Sequence, residues 1–188
     1  MDAWLLFFPQ LPSSPSSLRV HVWRRLRAAG ALGLQQGVWV LPHTAEHERS
    51  FRALIAEVTP QGGAGLLFVA TALDPASPTD IVRRFQSERA QDYTEFQGRC
   101  HDFLAEIARE TTSRNFTFAE LEENEQDFQK LTGWLERIRA RDFFGGDEAE
   151  QAQAALAGCR QVLEIFAQAI YAEAGLAPTN ESEPERPS

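Results

Sequence analysis

Guanidinium groups are the chemistry this chain offers most openly. Lys130 is the single lysine among 18 basic residues, so nearly every positive charge is a planar fork suited to two-point contact with carboxylates or oxyanions. Arg19, Arg24, Arg25 and Arg27 fall in one short stretch, and Arg83, Arg84 and Arg89 in another. On helices, Arg24 and Arg27 share a face at i, i+3, while Arg83 and Arg84 lie near a helix start, where the dipole disfavours positive charge. An unfavourable placement calls for a partner. The simpler partner is a carboxylate of the acidic second half; the functional one is an external oxyanion or phosphate.

The remaining reactive side chains read as structure. His43 and His47 are four apart, but His43 precedes the expected helix cap, and a solvated helix start explains the pair better than a metal site. His101 follows Cys100 directly, and adjacent helical residues diverge by about 100°, so they form no ready chelate. Cys100 and Cys159 lie in the apolar repeats Phe96–Cys100–Phe103 and Leu156–Cys159–Leu163 and suit small core positions. Glu120, Glu122, Glu123, Glu125 and Asp127 make an acidic run in a helix start, where the dipole favours them. None of the patterns G-x-S-x-G, G-x-x-x-x-G-K, G-x-G-x-x-G or H-E-x-x-H occurs. No catalytic residue, metal or cofactor is expected.

The elements that must hold these groups follow from the apolar pattern. A chain of 188 residues, 43% apolar and 24% charged, suits one compact domain or a small domain with an appended bundle. The apolar run Ala3–Phe8 is far shorter than the ~20 residues of a membrane span, and neither a span nor a leader is expected. Two distant cysteines suggest no disulfide framework, so a reducing, cytoplasmic setting is the default, and the sequons at Asn115 and Asn180 read as chance matches. Charge is lopsided: residues 1–89 carry nine basic against seven acidic groups, residues 90–188 nine against twenty. Polyanionic DNA would be repelled by the second half, so any nucleic-acid surface belongs to the first.

Residues 3–8 read as a buried strand stopped by Pro9. A helix from Leu18 to about Ala29 follows, with Leu18, Val22, Trp23 and Leu26 as its apolar face and Gly30 as its stop. Ala31–Leu34 and Val38–Leu41 make a hairpin around Gln35-Gln36-Gly37. Pro42-His43-Thr44 opens a second helix with the stripe Phe51, Leu54, Ile55 and Val58, and Gly65–Thr71 is the last strand. The order βαββαβ is that of a ferredoxin-like unit, one sheet face lying under two helices and the other needing a cover.

From residue 78 the period becomes helical. Ser77 or Thr79 caps a long helix whose stripe of Ile81, Phe85, Phe96, Cys100, Phe103 and Ile107 weakens where Arg89 and Asp92 take stripe positions. Asn115 breaks it, and Thr117 with Glu120 fits a capping box. Two more helices, separated by Phe144-Gly145-Gly146 and capped again at Asp147, should pair antiparallel. The fold class expected is α+β: a ferredoxin-like domain over residues 1–73, a three-helix region over 78–175, and a disordered tail over 176–188.

The stretch over residues 13–42, with its R-x-x-x-W-R-x-L helix, G-A dipeptide and Q-G-V-W-V-L-P hairpin, resembles the N-terminal region of the chromate-resistance regulator family ChrB. So do F-T-F-A-E-L-E-E-N at 116–124 and R-A-R-D-F-F at 139–144. The first half is also similar to the middle domain of PaaX-type repressors, a Cas2-like fold. That resemblance implies a chromate-responsive regulator of an efflux operon. It makes Arg19, Arg24 and Arg27 the first candidates for a chromate or sulfate-like oxyanion, with Arg83 and Arg84 beside them, and makes DNA and a second copy of the chain candidate partners. A nuclease of the Cas2 kind would want an acidic residue where Phe8-Pro9-Gln10 stands, so nuclease activity is not expected. The competing reading is an interaction or dimerisation module without a small ligand.

Overall fold

The computed structural model describes residues 3–14 and 16–176. Its elements are β1 (Trp4–Gln10), α1 (Ser16–Ala28), β2 (Leu32–Gln35), β3 (Val38–Pro42), α2 (Ala45–Val58), β4 (Ala64–Ala70), α3 (Ala76–Ser113), α4 (Phe118–Arg139) and α5 (Asp147–Glu173), with a 3-10 turn at Thr59–Gln61. The fold is α+β, a four-stranded antiparallel sheet with its helices followed by three long helices. The expected disordered tail lies, from residue 177 on, outside the described residues.

The sheet order is β2-β3-β1-β4, with every pairing antiparallel. That is the ferredoxin-like arrangement the element order implies. Alternation along β1 sends Leu5 and Phe7 to one face and Trp4 and Leu6 to the other. Leu5, Phe7 and Leu41 pack under Leu18, Val22 and Leu26 of α1 and Phe51, Leu54 and Val58 of α2. Trp4, Leu32 and Val40 on the opposite face are covered by Phe85 of α3 and by Phe143 and Phe144.

Two details differ from expectation. The first strand runs through Pro9 to Gln10, and its pairing with β4 continues to Gln10–Ala64 while pairing with β3 ends at Phe7. Ala3 O accepts from His43 N on the β3 side, and backbone polar groups alternate along a strand. Pro9 therefore turns its donorless nitrogen to the side that β3 has already left, where it breaks no ladder bond. The cap of α3 is Asp74 and neither Ser77 nor Thr79: its Oδ1 accepts from Ala76 N at 2.9 Å and Ser77 N at 2.8 Å. The bonds from Ser77 N and Ser77 Oγ, and then that from Ala76 N, hold the Asp74 carboxyl below the usual carboxylate range.

The chain divides into two compact units, Met1–Asp92 with Arg137–Asp147, and Tyr93–Glu136 with Glu148–Ser188. In the second unit α3 and α4 run antiparallel, their successive rungs being Glu110–Asn124, Phe103–Phe128 and Phe96–Trp134. Phe118–Tyr171 and Arg160 over Phe128 set α5 antiparallel to α4. Its core is Phe96, Cys100, Phe103 and Ile107 from α3, Leu121, Leu131 and Leu135 from α4, and Leu156, Cys159, Leu163, Phe166 and Ile170 from α5.

Candidate functional site

Helix α1 buries Leu18, Val22 and Leu26 and carries no acidic residue. At about 100° per residue, Val20, Trp23, Arg24 and Arg27 turn away from that line, and Arg19 lies on its flank. Trp23 accordingly stands on the outer face, 53% exposed, and not in the apolar stripe where the sequence reading put it. Five residues separate it from Leu18, which turns it well away from the buried line. Arg19 and Arg24 are exposed. Arg25 is drawn to the flank, where Arg25 Nε and His21 Nε2 lie 3.7 Å and 2.8 Å from Glu57 of α2.

Gly30 ends α1 at φ 74°. Gly30 N and Ala31 N donate to the carbonyls of Arg27 and Leu26, the bonding of a left-handed C-terminal cap. A side chain at Gly30 would meet Arg141 Cβ at 2.9 Å, so the missing Cβ is what lets the 141–143 segment approach. Around this helix end three arginines share two carboxylates. Arg27 Nη1 donates to Glu88 Oε2 at 2.6 Å. Arg89 Nη2 lies 3.5 Å from Glu88 Oε2 and 3.1 Å from Asp92 Oδ2, and Arg141 Nη2 lies 3.6 Å from the same Asp92 oxygen. Burial first, and then the charges of Arg89, Arg27 and Arg137, hold Arg141 below the usual guanidinium range, with Asp92 opposing them.

The five sequence candidates thus separate. Arg19 and Arg24 stay exposed on α1. Arg27 joins the cluster around buried Arg89, Arg83 pairs with Asp80 one turn away, and Arg84 Nη2 donates to Gly33 O of β2 at 2.7 Å. Asp92 and Arg141 are members that residue spacing did not bring forward, and Arg89, though one of the guanidinium groups singled out, was not among the ligand candidates. Their signal was the polar break in the α3 stripe: the buried line runs Phe85, Arg89, Tyr93, Phe96, Cys100.

The other reactive groups are engaged. His47 Nδ1 donates to Pro42 O at 2.7 Å and His43 Nε2 lies 3.4 Å from Glu48 Oε2. Among the described residues, no three His, Cys, Asp or Glu side chains are grouped to hold a metal ion. Cys100 and Cys159 are buried thiols, Cys159 Sγ donating to Cys100 O at 3.6 Å; the neighbouring sulfur and then burial push the Cys100 thiol up, away from thiolate chemistry. Thr117 Oγ1 accepts from Glu120 N at 3.2 Å as the capping box requires, but the Glu120 carboxylate accepts from Asn115 Nδ2 instead of returning to the cap. Behind it, Asn124 Nδ2 donates to buried Glu110 Oε2 at 2.7 Å. No helix among the described residues is long and apolar enough to cross a membrane.

Comparison with known proteins finds a match to the family model described as protein ChrB, N-terminal, over residues 19–176. A curated relative, protein ChrB of Cupriavidus metallidurans, is 24% identical over 153 residues, which is 80% of this chain and 43% of the relative. The chain therefore spans less than half the length of that relative.

Proposed function

Because the chain belongs to the ChrB family, by its match to the family's N-terminal region, we propose that it is a non-enzymatic regulator of chromate resistance, acting in the reducing cytoplasm and meeting DNA through the outer face of α1. One observation carries this reading. On a chain of formal charge −9, α1 has no acidic residue and presents Arg19 and Arg24 on either side of a half-exposed tryptophan. Guanidinium forks suit phosphate oxygens, and an indole beside them can stack on or wedge against a base. The placement also satisfies the electrostatic requirement that phosphate contacts be local, since the acidic helical half repels the duplex.

A gel-shift against the gene's own promoter at low salt tests it. Retardation is expected, and the double variant Arg19→Ala, Arg24→Ala should weaken it across sequences and flatten the dependence of log K on log salt by about two. No retardation at low salt removes the DNA reading.

The second reading, an interaction module without a small ligand, is favoured by β4. Its outer edge is unpaired in the sheet order, and Leu66, Phe68 and Val69 are each about half exposed. With no charge or proline in Ala64–Ala70, the strand lacks the usual guards against edge pairing, and a second copy of the chain could extend the sheet. That reading expects no retardation in the same gel.

A further inference from the structure

The geometry points to a second, separate site: the Arg27, Arg89 and Arg141 cluster at the end of α1 binds a tetrahedral dianion of the sulfate, phosphate or chromate kind. Arg89 is the reason. Its side chain is 5% exposed, and its Nε and Nη1 have no hydrogen-bond acceptor among the described residues. A guanidinium cannot shed its charge to escape burial, so donors in that position need an acceptor. No nearby acceptor among the described residues closes a hydrogen bond to them. Glu88 accepts the Arg27 hydrogen bond, and the α1 carbonyls of Arg25, Leu26 and Arg27 accept from Ala29, Ala31 and Gly30. Asp92 Oδ2 lies 3.1 Å from Arg89 Nη2 and 3.6 Å from Arg141 Nη2 but is itself buried without a hydrogen bond, a charge contact that leaves the Arg89 Nε and Nη1 donors open. Three guanidinium groups facing two carboxylates leave positive charge over.

The ligand class follows from the donors. Guanidinium N–H groups converging from α1, α3 and the 137–147 segment suit an anion with oxygens on several sides, and the surplus charge suits more than one negative charge. Entry is past Arg27 and Arg141, whose side chains are 36% and 22% exposed. Arg27 belongs both to this cluster and to the outer face of α1, so an anion that draws Arg27 or frees Glu88 changes the surface offered to DNA. Only that last step rests on the regulatory reading.

Calorimetric titration of the full chain with sulfate, phosphate and chromate, without DNA, tests the site, with thermal unfolding in parallel. Saturable binding is expected for at least one anion. Arg141→Gln should weaken it about tenfold, the loss of one charge-assisted contact. Asp92→Asn removes a competing carboxylate and should tighten it by a similar factor, with the anion raising the melting temperature of this variant more than that of the parent chain. A preference for chromate identifies the signal the regulator reads, and equal binding of all three identifies a general dianion site. Absence of saturable heat at millimolar anion, or binding that neither substitution alters, overturns the site. Overturned with gel retardation intact, the DNA reading stands alone; binding without retardation separates the two the other way.

Discussion

Arg89 and Glu110 lie on the same helix, α3, one in each compact unit, and both are buried in a line of apolar neighbours. They meet burial in opposite ways. Glu110 can take up a proton: burial, ahead of the nearby Glu120 and Glu106, raises its pKa, while the bond from Asn124 opposes the rise. Arg89 has no such escape and draws anions to itself instead, Glu88 on one side and Asp92 on the other. The helical unit therefore holds a polar pair that can close within itself, whereas the sheet unit holds a charge that its own carboxylates do not fully answer. That difference is why the ligand site is assigned to the sheet unit.

The comparison is broken most directly at Asp92. Asp92→Ala leaves a buried cation with only the more distant Glu88, and should lower unfolding stability by about 3 kcal/mol, measured by urea denaturation. Arg89→Met should cost clearly less, because Glu88 and Asp92 keep Arg27 and Arg141 and the methionine fills much of the space. If the methionine variant is the weaker of the two, Arg89 is an ordinary structural ion pair and the contrast with Glu110 fails.

Glu110 sharpens the other side. Its folded pKa is raised above the ordinary 4.5, so the folded state holds the proton more tightly than the unfolded chain. The stabilisation it contributes is fully present below that ordinary value and is lost as pH rises through the folded value. Glu110→Gln keeps an oxygen to accept from Asn124 and removes the titration. Subtracting its stability profile from that of the parent should leave a downward slope with rising pH, beginning near the ordinary carboxylate range. A flat difference would show that Glu110 titrates alike in the folded and unfolded chain, and that burial there does not favour the proton.

Legibility in the sequence follows the range of the interactions. Apolar runs and their punctuation foretold the βαββαβ order, because β1 to β4 and the two helices are each written in a few consecutive residues. Pro9 misled because its tolerance depends on where β3 stops pairing, which no local pattern records. Trp23 misled because one large apolar residue beside a stripe looks like part of it. Arg24 and Arg27 were read alike, with a carboxylate of the acidic second half as the simpler partner and an outside anion as the functional one; Arg27 in fact meets Glu88, 61 residues further along and in the first half. Arg141 was visible only as part of a family motif, since its position depends on Gly30 making room across a turn. The weakened stripe at Arg89 and Asp92, with Arg27 and Arg89 in the two arginine-rich stretches, was the local trace of the cluster. Helical periodicity can mark such a break without saying what fills it.

Arg83 and Arg84, adjacent and both proposed as anion ligands from their sequence, set the finest contrast within the sheet unit. Arg84 donates across to Gly33 O at 2.7 Å and more weakly to Leu34 O at 3.4 Å, joining α3 to the edge strand β2. Arg83 pairs with Asp80 on its own helix, its side chain 77% exposed. A charged donor on a backbone carbonyl, partly shielded, contributes about 1 kcal/mol, whereas an exposed pair one turn apart contributes within about 0.5 kcal/mol and fades with salt. Arg84→Ala should therefore shift the urea midpoint measurably at any ionic strength, and Arg83→Ala only slightly and only at low salt. Should either substitution instead leave stability unchanged and weaken the calorimetric binding of sulfate, that arginine would be a ligand contact, and the division between structural and anion-facing arginines drawn at Arg89 would have to be redrawn to include it.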